Sequence, residues 1–174
     1  MIAIRPMRPD ELPAAKRVML TVAAGIFEPD HPAAHFVNRH TAALSDVDDF
    51  QFHYGPPRGT FLVAVDDHIV VGTGAIRPID DGTAELRRMW LLPEYHGQGI
   101  GYRLIRALLD FARAAGYRRV RLSTSDQQQQ AIRFYTRQGF YPIARYRDTD
   151  DEVFMELKLD VAGNHRPLNA DRRD

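Results

Sequence analysis

Cysteine is missing from all 174 residues of this chain. Its absence excludes disulfides, thiolate metal ligands and a covalent acyl-cysteine intermediate. No stretch approaches the ~18 consecutive apolar residues of a membrane-spanning helix, and the opening MIAIRPMRPDELPAA has no apolar core of signal-peptide length. The expectation is a cytoplasmic protein with no membrane partner. Excess charge is also lacking: 23 Lys+Arg balance 23 Asp+Glu, so no global field draws the chain to nucleic acid. Nor is a metal expected. His31 and His35 have helical spacing and His40 follows, but Pro32 separates the first two and no further ligand is placed beside them. There is no internal repeat. The length suits one domain with a sizeable core, expected over residues 1–159, with a polar tail over 160–174.

What the chain does have is concentrated in Glu85 to Gly116. Leu86, Met89, Trp90, Leu91 and Leu92 read as a central strand, which Pro93 ends because it has no N–H for a ladder. Arg87 and Arg88 interrupt the run, so at least one of them must reach solvent or a partner. From Ile100 the period changes: Ile100, Leu104, Ile105, Leu108, Leu109, Phe111 and Ala112 fall on one helical stripe, closed by Gly116. Between strand and helix stand Gly97, Gly99 and Gly101. A helix start carries unpaired N–H groups and roughly half a positive charge, and glycines let an anion approach that backbone. A turn whose glycines serve only positive φ angles is the plainer alternative. The dinucleotide fingerprint fails, since the third glycine comes one residue early and Leu122-Ser123-Thr124 stand where an acid is needed. A phosphate loop of the Gly-Lys-Ser/Thr kind is absent.

His96-Gly97-Gln98-Gly99-Ile100-Gly101 resembles the acyl-CoA pyrophosphate loop of the GNAT superfamily of N-acyltransferases, Gln/Arg-x-x-Gly-x-Gly/Ala. The preceding Leu-Leu-Pro-Glu-Tyr resembles the end of that family's fourth strand. Ala131 to Phe140 (AIRFYTRQGF) resembles the helix-to-strand motif that closes its cofactor site. The resemblance spans roughly residues 60 to 158, with one departure: His96 stands where the family has Arg or Gln, which lowers the charge offered to a phosphate.

The rest of the chain fits that order. Ile2 to Arg5 reads as a first strand, and Leu12, Ala15, Val18, Met19, Val22 and Ile26 as a helix face. A second helix is expected over 33–44, followed by an acidic and aromatic stretch to Gly55. Hairpin turns are expected at Asp66-Asp67-His68 and Asp80-Asp81-Gly82. Arg119 to Thr124 should form a strand parallel to the fourth, because a helix crosses between them. A helix capped at Ser125 or Asp126 then runs to Gln138, and Tyr141–Tyr146 pairs with Val153–Leu159. The fold class is therefore α/β (α+β), a GNAT-like mixed, splayed sheet of about seven strands flanked by about four helices.

What the resemblance implies is acetyl transfer from acetyl-CoA, the co-substrate, to a primary amine by direct attack, with no metal. The backbone of Met89 and Leu91 would pair with the pantetheine arm, and the Leu91 N–H would serve an oxyanion. His96, Gly97, Gln98, Gly99, Ile100, Gly101 and Tyr102 would form the pyrophosphate cradle. Tyr135 matches the family tyrosine that meets the CoA sulfur as general acid. Glu85 matches a glutamate some members use as base; it reads equally as a partner of Arg87, Arg88 or a neighbouring strand. Acidic stretches at 46–49, 80–81 and 148–151 either face a cationic acceptor or are solvated turns. A small amine, an amino acid and a protein N-terminus all stay open as acceptors, and so does a homodimer. A non-catalytic acyl-CoA-binding module is the alternative function.

Overall fold

The computed structural model describes residues 1–160; the tail expected over 160–174 lies, Asp160 apart, outside the described residues. Seven strands are present: β1 (Ala3–Pro6), β2 (Thr60–Asp66), β3 (Ile69–Pro78), β4 (Thr83–Leu91), β5 (Arg119–Thr124), β6 (Tyr141–Pro142) and β7 (Val153–Lys158). They form one sheet in the order β1-β2-β3-β4-β5-β7-β6. Every neighbouring pair is antiparallel except β4–β5. The β2–β3 hairpin turns through Asp67 and His68, both at positive φ (41° and 75°), the two-residue geometry that matches strand twist. β4 and β5 run parallel because α5 (Ile100–Ala114) carries the chain across the sheet between them.

Helices cover both faces, which is why β2 is apolar on both sides. On one face α1 (Leu12–Phe27) sets Val18, Met19 and Val22 against Phe61, Val63, Val65 and Ala75. On the other, α5 sets Leu104, Ile105, Leu108 and Leu109 against Leu62, Ile76 and Leu86. Each of those four α5 side chains is almost fully buried and contributes about 1.5–3 kcal/mol.

Two irregularities shape the centre. β4 and β5 pair only over Thr83↔Arg119, Ala84↔Val120 and Glu85↔Arg121. Beyond Glu85, β4 stays with β3 while β5 stays with β7, so the expected splay is present. Register on β3 steps from Ala75↔Arg87 to Thr73↔Trp90, so β4 carries one extra residue. That bulge puts Arg88 at φ 55°, a strained angle for a side chain of this size, and Thr73 Oγ1 donates to the Arg88 carbonyl at 2.7 Å.

The second helix is shorter than its sequence suggests: α2 (Ala33–His40) gives way to a 3-10 turn at Thr41–Leu44. The acidic, aromatic stretch forms two single-turn helices, α3 (Ser45–Asp48) and α4 (Phe50–Tyr54). α6 (Gln129–Arg137) starts late, because Ser125 caps a turn rather than the helix, its Oγ and carbonyl accepting from Gln127 and Gln128. The β6 pairing stops at Pro142, and Tyr146 and Arg147 turn instead toward Glu85.

Candidate active site

The turn after β4 is a bare cradle. Gly97 and Gly99 both lie at φ +74°, and a Cβ built on either would meet no protein atom within 4 Å. The space above them is open. None of the N–H groups of Gly97, Gln98, Gly99, Ile100, Gly101 and Tyr102 has an acceptor among the described residues, and they converge at the positive end of α5. Unpaired donors on bare backbone at a helix start fit a diphosphate. Side chains here serve other ends. Ile100 is buried beside Ala64 and Val71, the Gln98 amide closes the turn onto the Glu94 carbonyl at 3.0 Å, and Tyr102 stands half-exposed.

His96 is spent on the protein. Its Nε2 lies 3.0 Å from the Leu91 carbonyl oxygen, which only accepts, so Nε2 carries the proton. With that nitrogen engaged, anion affinity rests chiefly on the main chain.

Leu92 N–H donates to Val71 O at 3.0 Å. Antiparallel pairing alternates, so Leu91, opposite Gly72, turns its N–H away from β3 into the gap left by β5. That unpaired donor is where a developing oxyanion could be held.

Two cavities meet at this gap. The larger, about 560 Å³, runs from Gly97, Gly99, Gly101 and Tyr102 past Met89, Trp90 and Leu91 to Phe134 and Tyr135. The smaller, about 140 Å³, is lined by Arg87, Arg88, Leu122, Ser123, Thr124, Arg147 and Asp151. Met89, Trp90, Gln128 and Tyr135 line both. Tyr135 is 7% exposed, stacked edge-on against Phe134 and Phe140, and its hydroxyl has no hydrogen-bond partner among the described residues. Burial pushes this phenol well above its ordinary value, which keeps it a proton donor.

Glu85, 1% exposed, is enclosed by cations. Arg77 Nε donates to it at 2.7 Å and the Tyr146 hydroxyl at 2.8 Å. Arg147 Nε lies 2.8 Å away but does not aim its N–H at the oxygen, so that contact is ionic and the N–H is left unpartnered. Both carboxylate oxygens are engaged, and this counts against a free base. Three carboxylates of the acidic stretches are spent likewise. Asp46 accepts from Arg88 (Nε at 3.0 Å, and Nη2) and from the Tyr54 hydroxyl, Asp48 pairs with Lys16 at 2.5 Å, and Asp80 closes its own turn onto Gly82 N–H at 2.8 Å. Asp151, from the third stretch, does line the smaller cavity, where it accepts from Ser123 Oγ at 2.7 Å.

Burial pushes the Asp46 carboxyl upward, but the Arg88 and Tyr54 hydrogen bonds outweigh it and hold the group at about 2, below its ordinary 3.8. Its contribution to stability is therefore complete above pH 4 and lost as pH falls through about 2. Asp46→Asn, which leaves Arg88 buried without a counter-charge, is expected to cost about 3 kcal/mol at neutral pH. Urea unfolding checks this: the gap between wild type and variant should close from pH 4 toward pH 2, and identical midpoints at pH 7 would refute it.

Sequence reasoning placed the loop, Tyr135 and the β4 backbone, and the fold brings all of them to one gap. It missed Arg147, Ser123, Trp90 and Gln128, and of the acidic stretches it could not single out Asp151 as the carboxylate that lines the smaller cavity. The signal within reach was the Arg87-Arg88 pair inside an apolar strand, which needed partners.

Among the described residues no helix is long and apolar enough to cross a membrane, and no group of three or more His, Asp or Glu is placed to hold a metal. Residues 19–140 match the family model described as acetyltransferase (GNAT) family. The chain is 32% identical over 110 residues to an N-acetyltransferase of Schizosaccharomyces pombe, covering 61% of this chain and 68% of that protein. It spans about half the length of mammalian relatives such as human N-acetyltransferase 8B, at 38% identity and 46% coverage. The fold resembles a GNAT-family acetyltransferase of Staphylococcus aureus, with TM-score 0.80, 20% identity, and coverage of 92% of this chain and all of the other. It also resembles the PaiA N-acetyltransferase of Thermoplasma acidophilum in complex with coenzyme A, with TM-score 0.73, 22% identity, and coverage of 91% and 99%.

Proposed function

This chain belongs to the acetyltransferase (GNAT) family, the acyl-CoA-dependent N-acetyltransferases, and we propose that transfer here is a direct attack by a primary amine held in the smaller cavity. The observation that carries this reading is the junction: Met89, Trp90 and Tyr135 line both the cavity with the bare N–H cradle and the small one beside it. Acetyl-CoA, when bound, supplies an activated acyl carbon, so that C–N forms as C–S breaks, the amine gives up one proton and the thiolate takes one.

The chain's own residues divide the work. The N–H groups of Gly97 to Tyr102 hold the diphosphate, and the backbone of Met89 and Leu91 aligns the pantetheine arm. The Leu91 N–H receives the negative charge on oxygen. Tyr135, kept protonated by burial, hands its proton to the sulfur. Holding the two reactants side by side can supply roughly 7–11 kcal/mol in ideal cases, so no covalent nucleophile is needed. Glu85 organises Arg77, Tyr146 and Arg147, and the amine proton leaves to water. A metal has no part in this scheme.

Thiol release from acetyl-CoA over a panel of amines tests the reading. Initial rates at varied concentrations of both substrates should give intersecting lines, and parallel lines would instead indicate a covalent acyl-enzyme. In the same assay Glu85→Gln should keep the acid limb of the pH–rate profile; its disappearance would return the base role to Glu85. Binding of acetyl-CoA with no turnover on any amine would favour a binding module.

A further inference from the structure

Around the smaller cavity, nearly every guanidinium is matched to a carboxylate. Arg88 is bonded to Asp46, Arg77 to Glu85 at 2.7 Å, and Arg121 to Glu156 at 2.8 Å. Arg147 lies 2.8 Å from Glu85 and donates to Ser123 Oγ at 2.7 Å. Arg87 is the exception. Its side chain is 19% exposed, its nearest carboxylate oxygen, on Glu85, is 3.9 Å away and already bonded to Arg77, and its donors have no hydrogen-bond partner among the described residues. It lines the smaller cavity and not the larger one, so the CoA side does not satisfy it. A guanidinium that lines a cavity with its hydrogen-bond donors uncommitted is the usual instrument for grasping a planar anion by two parallel hydrogen bonds.

The geometry points to an acceptor that carries a carboxylate close to its amine, with Arg87 as the group that binds it. This deepens the proposed N-acetyl transfer and rests on it. A simple alkylammonium entering the cavity would meet Arg87, Arg88 and Arg147 with only Asp151 as a lining acid. An amino acid brings its own anion and reverses that balance. Size agrees, since a cavity near 150 Å³ holds one benzene and about 140 Å³ suits an amino-acid head group rather than a folded chain. The cations serve the chemistry too: positive charge beside an amine favours its neutral, attacking form. Arg87 itself is pulled below its ordinary value chiefly by burial, with Arg77 and Arg88 adding to the shift and Tyr54 and Glu85 opposing it. A protein N-terminus, with a peptide carbonyl in place of the carboxylate, would leave Arg87 unsatisfied.

The test compares the twenty protein amino acids with their primary amides, by thiol release from acetyl-CoA. For the best side chain, wild type is expected to prefer the acid over the amide by about tenfold to a hundredfold in kcat/KM, the worth of a charge-assisted hydrogen-bond pair. That ratio should collapse toward one in Arg87→Gln and be partly retained in Arg87→Lys, with thermal unfolding confirming that both fold. Calorimetry with N-acetylphenylalanine and its amide against the CoA complex runs alongside. If no amine turns over but the acid still binds tighter than the amide, the transfer reading fails and the carboxylate site stands. Amides equal to acids in the wild type, an unchanged ratio in Arg87→Gln, or neither acetyl compound binding when no amine turns over overturns the inference. Should Arg87→Gln not fold, the wild-type ratio and Arg87→Lys decide.

Discussion

Gly99→Val is expected to abolish acetyl-CoA binding while leaving the fold standing. Gly99 caps the start of α5 at φ +74°, a region that costs a β-branched residue at least about 1–2 kcal/mol. A side chain there meets no protein atom within 4 Å of its Cβ, so the protein has no internal clash to relieve. The valine methyls would instead fill the space in front of the loop N–H groups, where a diphosphate must come within hydrogen-bond distance of the backbone. Loss of those charge-assisted bonds, each worth about 1.5–3 kcal/mol, should weaken binding by more than a hundredfold in a calorimetric titration. The melting temperature should drop by only a few degrees, in line with the backbone strain. Unchanged affinity would move the diphosphate to another part of the protein and end the assignment of this loop.

Tyr135→Phe is expected to separate chemistry from binding. The ring is buried between Phe134 and Phe140, and phenylalanine keeps that packing. The hydroxyl has no hydrogen-bond partner among the described residues, so its removal strands no protein group, and stability should hold or rise slightly. Turnover should fall by about a hundredfold, the lower end of what a positioned acid contributes, with acetyl-CoA affinity within about twofold of wild type by the same reasoning. The pH dependence carries a further sign. Burial raises this phenol above its ordinary 10.0, so the wild-type rate should not decline through loss of the Tyr135 proton below that pH. A wild-type rate in Tyr135→Phe would remove the acid role and leave protonation of the thiolate to water.

Much of this site is written in local chemistry. Pro93 stops a strand, the glycines open a turn and the stripe from Ile100 to Ala112 makes a helix. Those residues act on neighbours a few positions away, so their spacing is enough to place a bare helix start after a central strand. Glu85 reads differently. As a carboxylate at the head of an apolar strand it serves equally as base or ion-pair partner, and the choice is made by Arg77 across the hairpin and by Tyr146 and Arg147 some sixty residues on. The bulge at Arg88 was silent for a similar reason. An extra residue in one strand is defined only against its partner, and Asp46, which holds the Arg88 guanidinium, is 42 positions distant. The acidic stretches divide in the same way: Asp46 and Asp48 are held by Arg88 and Lys16, Asp80 closes its own turn, and Asp151 lines the smaller cavity.

The sequence alone therefore determined the order of the main elements, the parallel β4–β5 crossover and the bare glycine turn at the start of α5, because hydrophobic period, proline and glycine act within a turn or two of themselves. Only the tertiary structure decided which charges cancel. Coulomb and hydrogen-bond energies depend on separations of a few ångströms between residues far apart in the chain, and on that account Arg87, indistinguishable from Arg88 on paper, is the guanidinium that lines the smaller cavity with no hydrogen bond to a carboxylate among the described residues.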